Sequence, residues 1–295
     1  MKLLLVFNPV AAAGRSARLM PRVQDALGRV AEVDTLVTEV PHQGARLLAT
    51  VDLTPYDGVV VAGGDGSLFD AVNGLCARAA ADRVPLGVVP VGTGNAFARD
   101  LGLRPGDWQR AVELIGRQQR RRVDVGRVDT SRETWHFLNI VGTGLPVAAM
   151  NTAHRLKWFG RSAYTLAVLY HILHLKSYPL HIEIDGKHIE QEALFVEVSN
   201  TRYTGTSFLI APQAKFDDGL FDVTFVRRMS RARLLRLFPT IYRGEHLRFE
   251  EVSTFRGRQV RILAPRGLAL APDGEIRGSL PATVSCLAGE LEVFG

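Results

Sequence analysis

The run Val59-Val60-Val61-Ala62 ends abruptly in Gly63-Gly64-Asp65-Gly66-Ser67, and a helix-like segment, Leu68 to Ala81, follows it. An apolar β-branched strand that breaks into glycines and then a helix restricts the chain to an α/β arrangement. Glycine lacks Cβ, so such a turn brings backbone N–H groups close to phosphate oxygens, and the following helix N-terminus adds positive potential. The stretch reads as a phosphate-handling loop. A carboxylate repels phosphate, so Asp65 makes sense there if Mg²⁺ or a polarised hydroxyl lies between the two.

The same alternation runs through the first part of the chain. Leu3–Phe7, Val33–Val40, Gly58–Ala62 and Val84–Val91 read as strands. Ser16–Val30, Ala45–Val51, Leu68–Ala81 and Asp107–Gln119 read as helices. Strands interleaved with helices predict a mostly parallel, doubly wound sheet, whose ligands bind at the carboxyl ends of strands. Two further polar turns sit at strand ends: Asn8-Pro9, and Gly92-Thr93-Gly94-Asn95.

Past about residue 128 the pattern changes. Trp135–Val141, Leu180–Ile184, Ala193–Val198, Leu220–Val226 and Gln259–Leu263 are short alternating runs separated by turns, and Asp185-Gly186 is a hairpin signal. This half is expected to be an antiparallel, sandwich-like β domain. The expected division is 1–128 and 129–295. Thr283–Phe294 forms one or two last strands that could rejoin the first domain.

With 295 residues, 46% of them hydrophobic and 22% charged, the chain can bury a sizeable core. The net charge of +6 suits an anionic partner. The arginines are not interleaved with aromatics in any nucleic-acid module, so no nucleic-acid partner is expected. Cys76 and Cys286 lie far apart among apolar residues and read as reduced core cysteines of a cytoplasmic protein. The apolar N-terminus stops at Asn8-Pro9, too short for a signal peptide. No run reaches the roughly 18 apolar residues of a membrane span, so membrane contact must be peripheral.

Two segments offer such contact. From Thr134 to Ile182 there is no Asp or Glu, while Arg155, Lys157, Arg161 and Lys176 are basic and Trp158, Phe159, Tyr164 and Tyr170 are aromatic. Arg155 to Ser177 reads as one helix-like segment. Arg227 to Arg248 holds seven arginines against the single Glu245. Either could face anionic lipid, or be an ordinary helix with a solvated basic face.

Four pieces carry the chemistry: Asn8-Pro9; Gly63-Gly64-Asp65-Gly66-Ser67; Gly92-Thr93-Gly94-Asn95-Ala96-Phe97-Ala98-Arg99; and, late in the chain, Phe216-Asp217-Asp218-Gly219-Leu220-Phe221-Asp222 with Asp273-Gly274-Glu275. Taken alone, Asp-Asp-Gly and Asp-Gly are also good turn chemistry. Their order and spacing together resemble the diacylglycerol kinase-like lipid kinases of bacteria, relatives of the sphingosine and ceramide kinases, across nearly the whole chain.

The resemblance implies an ATP- and Mg²⁺-dependent transfer of phosphate to a lipid hydroxyl, in a cleft between the two domains. It implies nucleotide contacts from Asn8, Gly63, Gly64, Asp65, Gly66, Ser67, Gly92, Thr93 and Asn95. Asp273 is implied as the general base, with Glu275 orienting it or holding metal. Asp65, Asp217 and Asp218 are implied as metal ligands. The chain departs from the family at Ala96, where many members carry Asp, and in the alanine-rich first loop Asn8–Arg15. The same motifs leave room for a kinase of a soluble substrate such as NAD, and for a catalytically silent nucleotide- or lipid-binding regulator. The acceptor lipid is not readable: diacylglycerol, a sphingoid base, phosphatidylglycerol and a polyprenol all present a hydroxyl. The expected setting is the cytoplasmic face of the membrane, and an exposed edge of the second sheet could support a homodimer.

Overall fold

The computed structural model describes residues 1–9, 15–40, 42–104, 106–156, 163–205 and 207–295. The expectations placed on Val10–Gly14 of the first loop, and on Lys157, Trp158, Phe159 and Arg161, lie outside the described residues.

The N-terminal part alternates β1 (Lys2–Phe7), α1 (Arg15–Gly28), β2 (Glu32–Val37), α2 (Gln43–Thr50), β3 (Gly58–Gly63), α3 (Asp65–Cys76) and β4 (Leu86–Pro90), then α4 (Ala96–Asp100) and α5 (Trp108–Gly116). The strands β4, β3, β1 and β2 lie side by side in that order and are all parallel. β1, β3 and β4 carry near-continuous Leu and Val because helices cover both of their faces. β2 stops at Val37, three residues before the expected end, because Val37 and Val40 are exposed and have no core to face.

The second part begins with β5 (Arg120–Thr130), β6 (Thr134–Phe137), β7 (Ile140–Gly144), α6 (Leu145–Arg155) and α7 (Ala163–Leu173). It continues with β8 (Tyr178–Ile184), β9 (Lys187–Ser199), β10 (Tyr203–Thr204), β11 (Phe208–Leu209), β12 (Phe221–Arg227) and α8 (Arg231–Leu237). It ends with β13 (Val252–Gly257), β14 (Gln259–Ala264), β15 (Leu270–Pro272) and β16 (Ala282–Phe294). Its strands pair antiparallel with one another. The β8–β9 hairpin turns at Asp185-Gly186 with φ of 46° and 84°, as the dipeptide predicts.

Inward-facing Phe137, Val141, Ile182, Val196, Phe221, Val260 and Val284 close one core between the folded-over strands. On the outer face of β7 and β9, α6, α7 and α8 cover a third apolar cluster that includes Ile140, Phe195, Phe208 and Ile172. Arg155–Ser177 is therefore not one continuous helix: α6 ends at Arg155 and α7 runs from Ala163 to Leu173.

The last strand ties the two parts together. β16 pairs with β14 and β5 along most of its length, and Val293 then meets Leu86 of β4 in parallel. All the described strands except β10 and β11, which pair only with each other, thus form one continuous 14-stranded sheet. No described helix is long and apolar enough to cross a membrane.

Candidate active site

Both glycine loops lie at the carboxyl ends of neighbouring strands, β3 and β4, and they touch. The N–H groups of Val91 and Gly92 both donate to Gly63 O, at 3.2 and 3.0 Å. A Cβ on Gly92 would overlap the Gly64 Cα. Backbones this close leave room only for hydrogen at Gly92, and a Cβ on Gly64 would be tight at 3.3 Å from the Gly92 Cα.

Asp65 opens α3, with Gly64 as N-cap. Its Oδ1 accepts the Ala96 N–H at 2.7 Å, so it caps the first turn of α4 and fixes the second loop to the first. Burial pushes its carboxyl upward, while the N–H groups of Ala96 and Asn95 and the Arg99 charge oppose this. Asn95 takes a left-handed φ of 56° and donates its Nδ2 to Gly92 O at 2.8 Å. Ala96 is buried, so the chain has a methyl group where the resemblance implies Asp.

Asp273 follows β15 with φ of 45° and is buried. Its carboxylate accepts three backbone N–H groups: Leu138 at 2.9 Å, Asn139 at 2.8 Å and Ile140 at 3.1 Å. Burial is the dominant influence and lifts its carboxyl to about 6, with the nearby Asp65 acting in the same direction and the three N–H groups opposing. A carboxylate with three fixed donors is oriented rigidly yet keeps lone-pair capacity for a proton.

Glu275 sits across the cleft from the first part of the chain. Its Oε2 is 3.9 Å from His42 Nε2, and His42 Nδ1 is 3.2 Å from Asp70 Oδ1. His42, Asp70 and the Leu138–Ile140 backbone were not legible as site groups. Their partners lie tens of residues away, and no local spacing links them.

Two cavities meet at this point. One, about 520 Å³, is polar: Asn8, Ser67 and Thr93 line it together with Gly64, Gly66, Gly92 and Gly94. Asp65, Asp70, Asp273 and Glu275 face the same space, with His42 and no Lys or Arg among the described lining residues. The other, about 320 Å³, is mostly apolar and runs between Ile140, Met150, Ala153, Tyr164, Phe208 and Tyr242. Asp65, Asp273 and Gly274 border both. Gly63 and Asn95 lie behind the polar cavity and shape its loops.

The polar cavity fits a phosphorylated ligand on its glycine side. Its four carboxylates would repel phosphate alone, which suits a phosphorylated ligand that arrives with its own hard cation.

Asp217 and Asp218 do not join this site, and they do not form one of their own. Asp217 pairs with Arg121 at 2.9 Å, while Asp218 pairs with Arg256, which also reaches Asp222 at 3.5 Å. Adjacent residues in a turn project different ways, and here each carboxylate is neutralised by a different arginine. Together they do not fit a shared cation. Among the described residues no group of three or more His, Cys, Asp or Glu forms a metal cage.

Comparisons agree with this geometry. Residues 2–128 match the model of the diacylglycerol kinase catalytic domain, and residues 139–295 match the YegS C-terminal NAD kinase beta sandwich-like domain. A Mycobacterium tuberculosis (strain H37Rv) protein named diacylglycerol kinase is 33% identical over 301 residues, covering 99% of this chain and 94% of that one. The Bacillus subtilis (strain 168) diacylglycerol kinase is 29% identical over 280 residues, covering 94% and 90%. A crystal structure of a candidate diacylglycerol kinase from Bacillus anthracis str. Sterne superposes with a TM-score of 0.80 at 26% identity, covering 99% and 97%. An Archaeoglobus fulgidus NAD kinase, solved with ATP, shares the fold at a TM-score of 0.54 and 13% identity, covering 100% and 94%. With the kinase model on its first part, the sandwich-like model on its second and full-length relatives of the same name, the chain belongs to the diacylglycerol kinase family of phosphotransferases that use an alcohol acceptor.

Proposed function

We propose that the protein transfers the γ-phosphate of ATP to the hydroxyl of a membrane lipid such as diacylglycerol. The observation that carries this is the junction of a glycine-lined polar cavity with an apolar one at Asp273. The first suits a triphosphate, the second an acyl chain, and the carboxylate between them suits a hydroxyl proton. We also assign residues 1–128 to the donor and 129–295 to the acceptor.

Phosphoryl transfer through a loose transition state asks mainly for positioning and charge neutralisation. The Gly63–Ser67 and Gly92–Asn95 backbones hold the phosphates. Asp273 takes the acceptor's proton and is held by its three N–H donors. Glu275 and His42 bridge the cleft and keep Asp273 facing the donor loop. Asp65, Asp70 and Glu275 would face a Mg²⁺ carried with the triphosphate, which would neutralise phosphate charge there.

The lipid would enter from the surface of α7 and α8. Leu166, Leu169, Tyr170 and Leu173 of α7, with Leu235 and Tyr242, are exposed apolar side chains. Arg231, Arg236, Arg243 and Arg248 are exposed beside them and make no ion pair among the described residues. Apolar side chains flanked by unpaired cations suit the surface of an anionic bilayer. Leu173→Glu is expected to cut co-sedimentation with anionic vesicles about tenfold, and about 0.5 M salt to weaken wild-type binding strongly. Equal binding by both proteins would remove this face from the membrane.

Labelled ATP assayed over a panel of lipids tests the main reading. No labelled lipid, alongside retained ATP binding, would refute it. A label on NAD would favour the soluble-substrate reading. The proton-accepting role has a further signature. Asp273 must be ionised to accept a proton, and its carboxyl sits near 6. Hence kcat/KM is expected to fall about tenfold per pH unit below about 6. A profile flat down to pH 5 would deny it the base role.

A further inference from the structure

Glu197 lies midway along β9, where it faces Gly142 of β7 on one side and Thr224 of β12 on the other. It is only 5% exposed and has no hydrogen bond or ion pair among the described residues. Its neighbours explain neither its charge nor its presence. Phe195, two residues earlier on the same face, belongs to the apolar cluster beneath α6, α7 and α8.

The side chain has somewhere to point. A second apolar cavity, lined by Leu145, Val168, Phe195, Ile210 and Ile241, is also lined by Glu197. It shares Tyr164, Thr204 and Phe208 with the apolar cavity that ends at Asp273. A Cβ on Gly142 would stand 3.1 Å from the Glu197 Cγ, so the glutamate lies across the bare backbone of β7. The strand beyond β7 is β15, where Gly142 faces Ala271, two residues before Asp273. Neighbouring strands are about 4.8 Å apart, which places the Glu197 carboxyl about one strand from β15, the strand that leads into the base.

We infer that Glu197 reads the acceptor lipid, its carboxylic O–H donating a hydrogen bond to an ester carbonyl oxygen of a glycerolipid whose free hydroxyl is at Asp273. This rests on the lipid-kinase reading above and adds the acceptor's chemical class to it. An ester carbonyl stands only a few bonds from the free hydroxyl of a diacylglycerol. It needs one donor, and Glu197 is the one carboxylic acid on a wall whose other polar lining groups are the Tyr164 and Thr204 hydroxyls.

Burial pushes the Glu197 carboxyl up to about 8, with no group opposing, so the acid keeps its proton near neutral pH and can donate. The Tyr164 hydroxyl beside it is raised by burial and by Glu197 as well. An ammonium acceptor fits less well. It would bring three donors and a charge into a wall that is mostly apolar, a desolvation cost that a single ester carbonyl does not carry.

The test compares 1,2-dioleoylglycerol with the dialkyl-ether glycerol of equal chain length, which keeps the hydroxyl and lacks both ester carbonyls. Wild type is expected to favour the ester about tenfold in kcat/KM, since a site built to bond a polar group rejects the analogue without it. Glu197→Met should bring that ratio to about one through a higher KM for the ester, with kcat for the ether unchanged. Glu197→Gln keeps a donor and should hold the preference within about threefold. Neither variant should melt below wild type, because each removes an unpaired buried acid.

A Glu197→Met variant that keeps the wild-type ratio overturns the inference and leaves the lipid kinase standing. So does a wild type that prefers a long-chain amino alcohol and loses that preference in Glu197→Gln, which points to a carboxylate–ammonium contact. A wild type that binds ATP but labels neither glycerolipid brings down the parent reading and the inference with it.

Discussion

Asp273→Asn is expected to lower kcat about a thousandfold while leaving the protein folded. General-base catalysis contributes roughly 10² to 10⁴ in rate, and an amide cannot take up the acceptor's proton. Stability is the finer question. Asn139 and Ile140 both donate to Oδ1, and Leu138 donates to Oδ2. The amide oxygen can keep the first two bonds, but the amide NH₂ then meets the Leu138 N–H, donor against donor. An unmade buried hydrogen bond costs about 1–3 kcal/mol. The wild-type carboxyl carries an opposing cost. Its ionisation moves from the ordinary 3.8 to about 6 in the fold, a penalty of about 3 kcal/mol above that pH.

The sign follows from proton uptake. The folded chain holds this proton more tightly than the unfolded one, so its stabilising contribution is complete below about pH 4 and lost as pH rises through about 6. An asparagine has no such loss. The two effects offset each other at pH 7, so the melting temperature of the variant should stay close to wild type. Below pH 4 only the lost bond remains, and the variant should be the less stable protein. Steady-state turnover with thermal melts at pH 4 and pH 7 checks all of this. Near-normal turnover would end the base assignment.

Gly92→Ala should lower nucleotide affinity about a hundredfold or more. The new methyl group would overlap the Gly64 Cα and stand 2.8 Å from the Gly64 N. The obstructing atoms are backbone, not the end of a flexible side chain, so the loops must separate. Displacing groups that position a reactant by about 1 Å can cost 10²-fold. Conformational preference is not the cause, because Gly92 is not among the positive-φ glycines. Gly28→Ala is the matched control: it closes α1 with nothing within 4 Å of the added carbon, and should bind nucleotide normally. Nucleotide titration of both variants decides the matter. Wild-type affinity in Gly92→Ala would mean that the two loops do not cradle the phosphates.

The legible parts of this protein are local ones. Val59–Ala62, Gly63–Ser67 and the helix after them are adjacent in the chain, so strand, turn and helix signals appear in one short window. The β8–β9 hairpin is legible for the same reason. The boundaries drawn at Val40 and Ala81 ran too long, because hydrophobicity alone does not reveal where a core stops. Arg155–Ser177 shows the same limit: uniform composition suggested one helix over a segment where α6 has already ended at Arg155 and α7 covers only Ala163–Leu173.

Side-chain roles were harder to read than loops. Asp65 was expected to meet phosphate through Mg²⁺ or a polarised hydroxyl; that it also caps α4 by accepting the Ala96 N–H, 31 residues on, was not legible. Asp217 and Asp218 looked like metal ligands because adjacent carboxylates in a turn suit a cation. Arg121 and Arg256 separate them, and neither arginine is near them in sequence. The one faint signal for Glu197 was a lone acid inside the apolar run Ala193–Val198.

From sequence alone came the alternation of strand and helix, the two glycine loops at strand ends, the switch to antiparallel strands, and the family these resemble. Only the tertiary structure placed the Leu138–Ile140 backbone on Asp273, joined the two sheets through β16, and opened an apolar cavity onto the phosphate loops. The physical reason is range. Turn chemistry and periodicity act over a few residues and are written in neighbours. The orientation and protonation of a buried carboxylate depend on donors and walls brought from more than a hundred positions away.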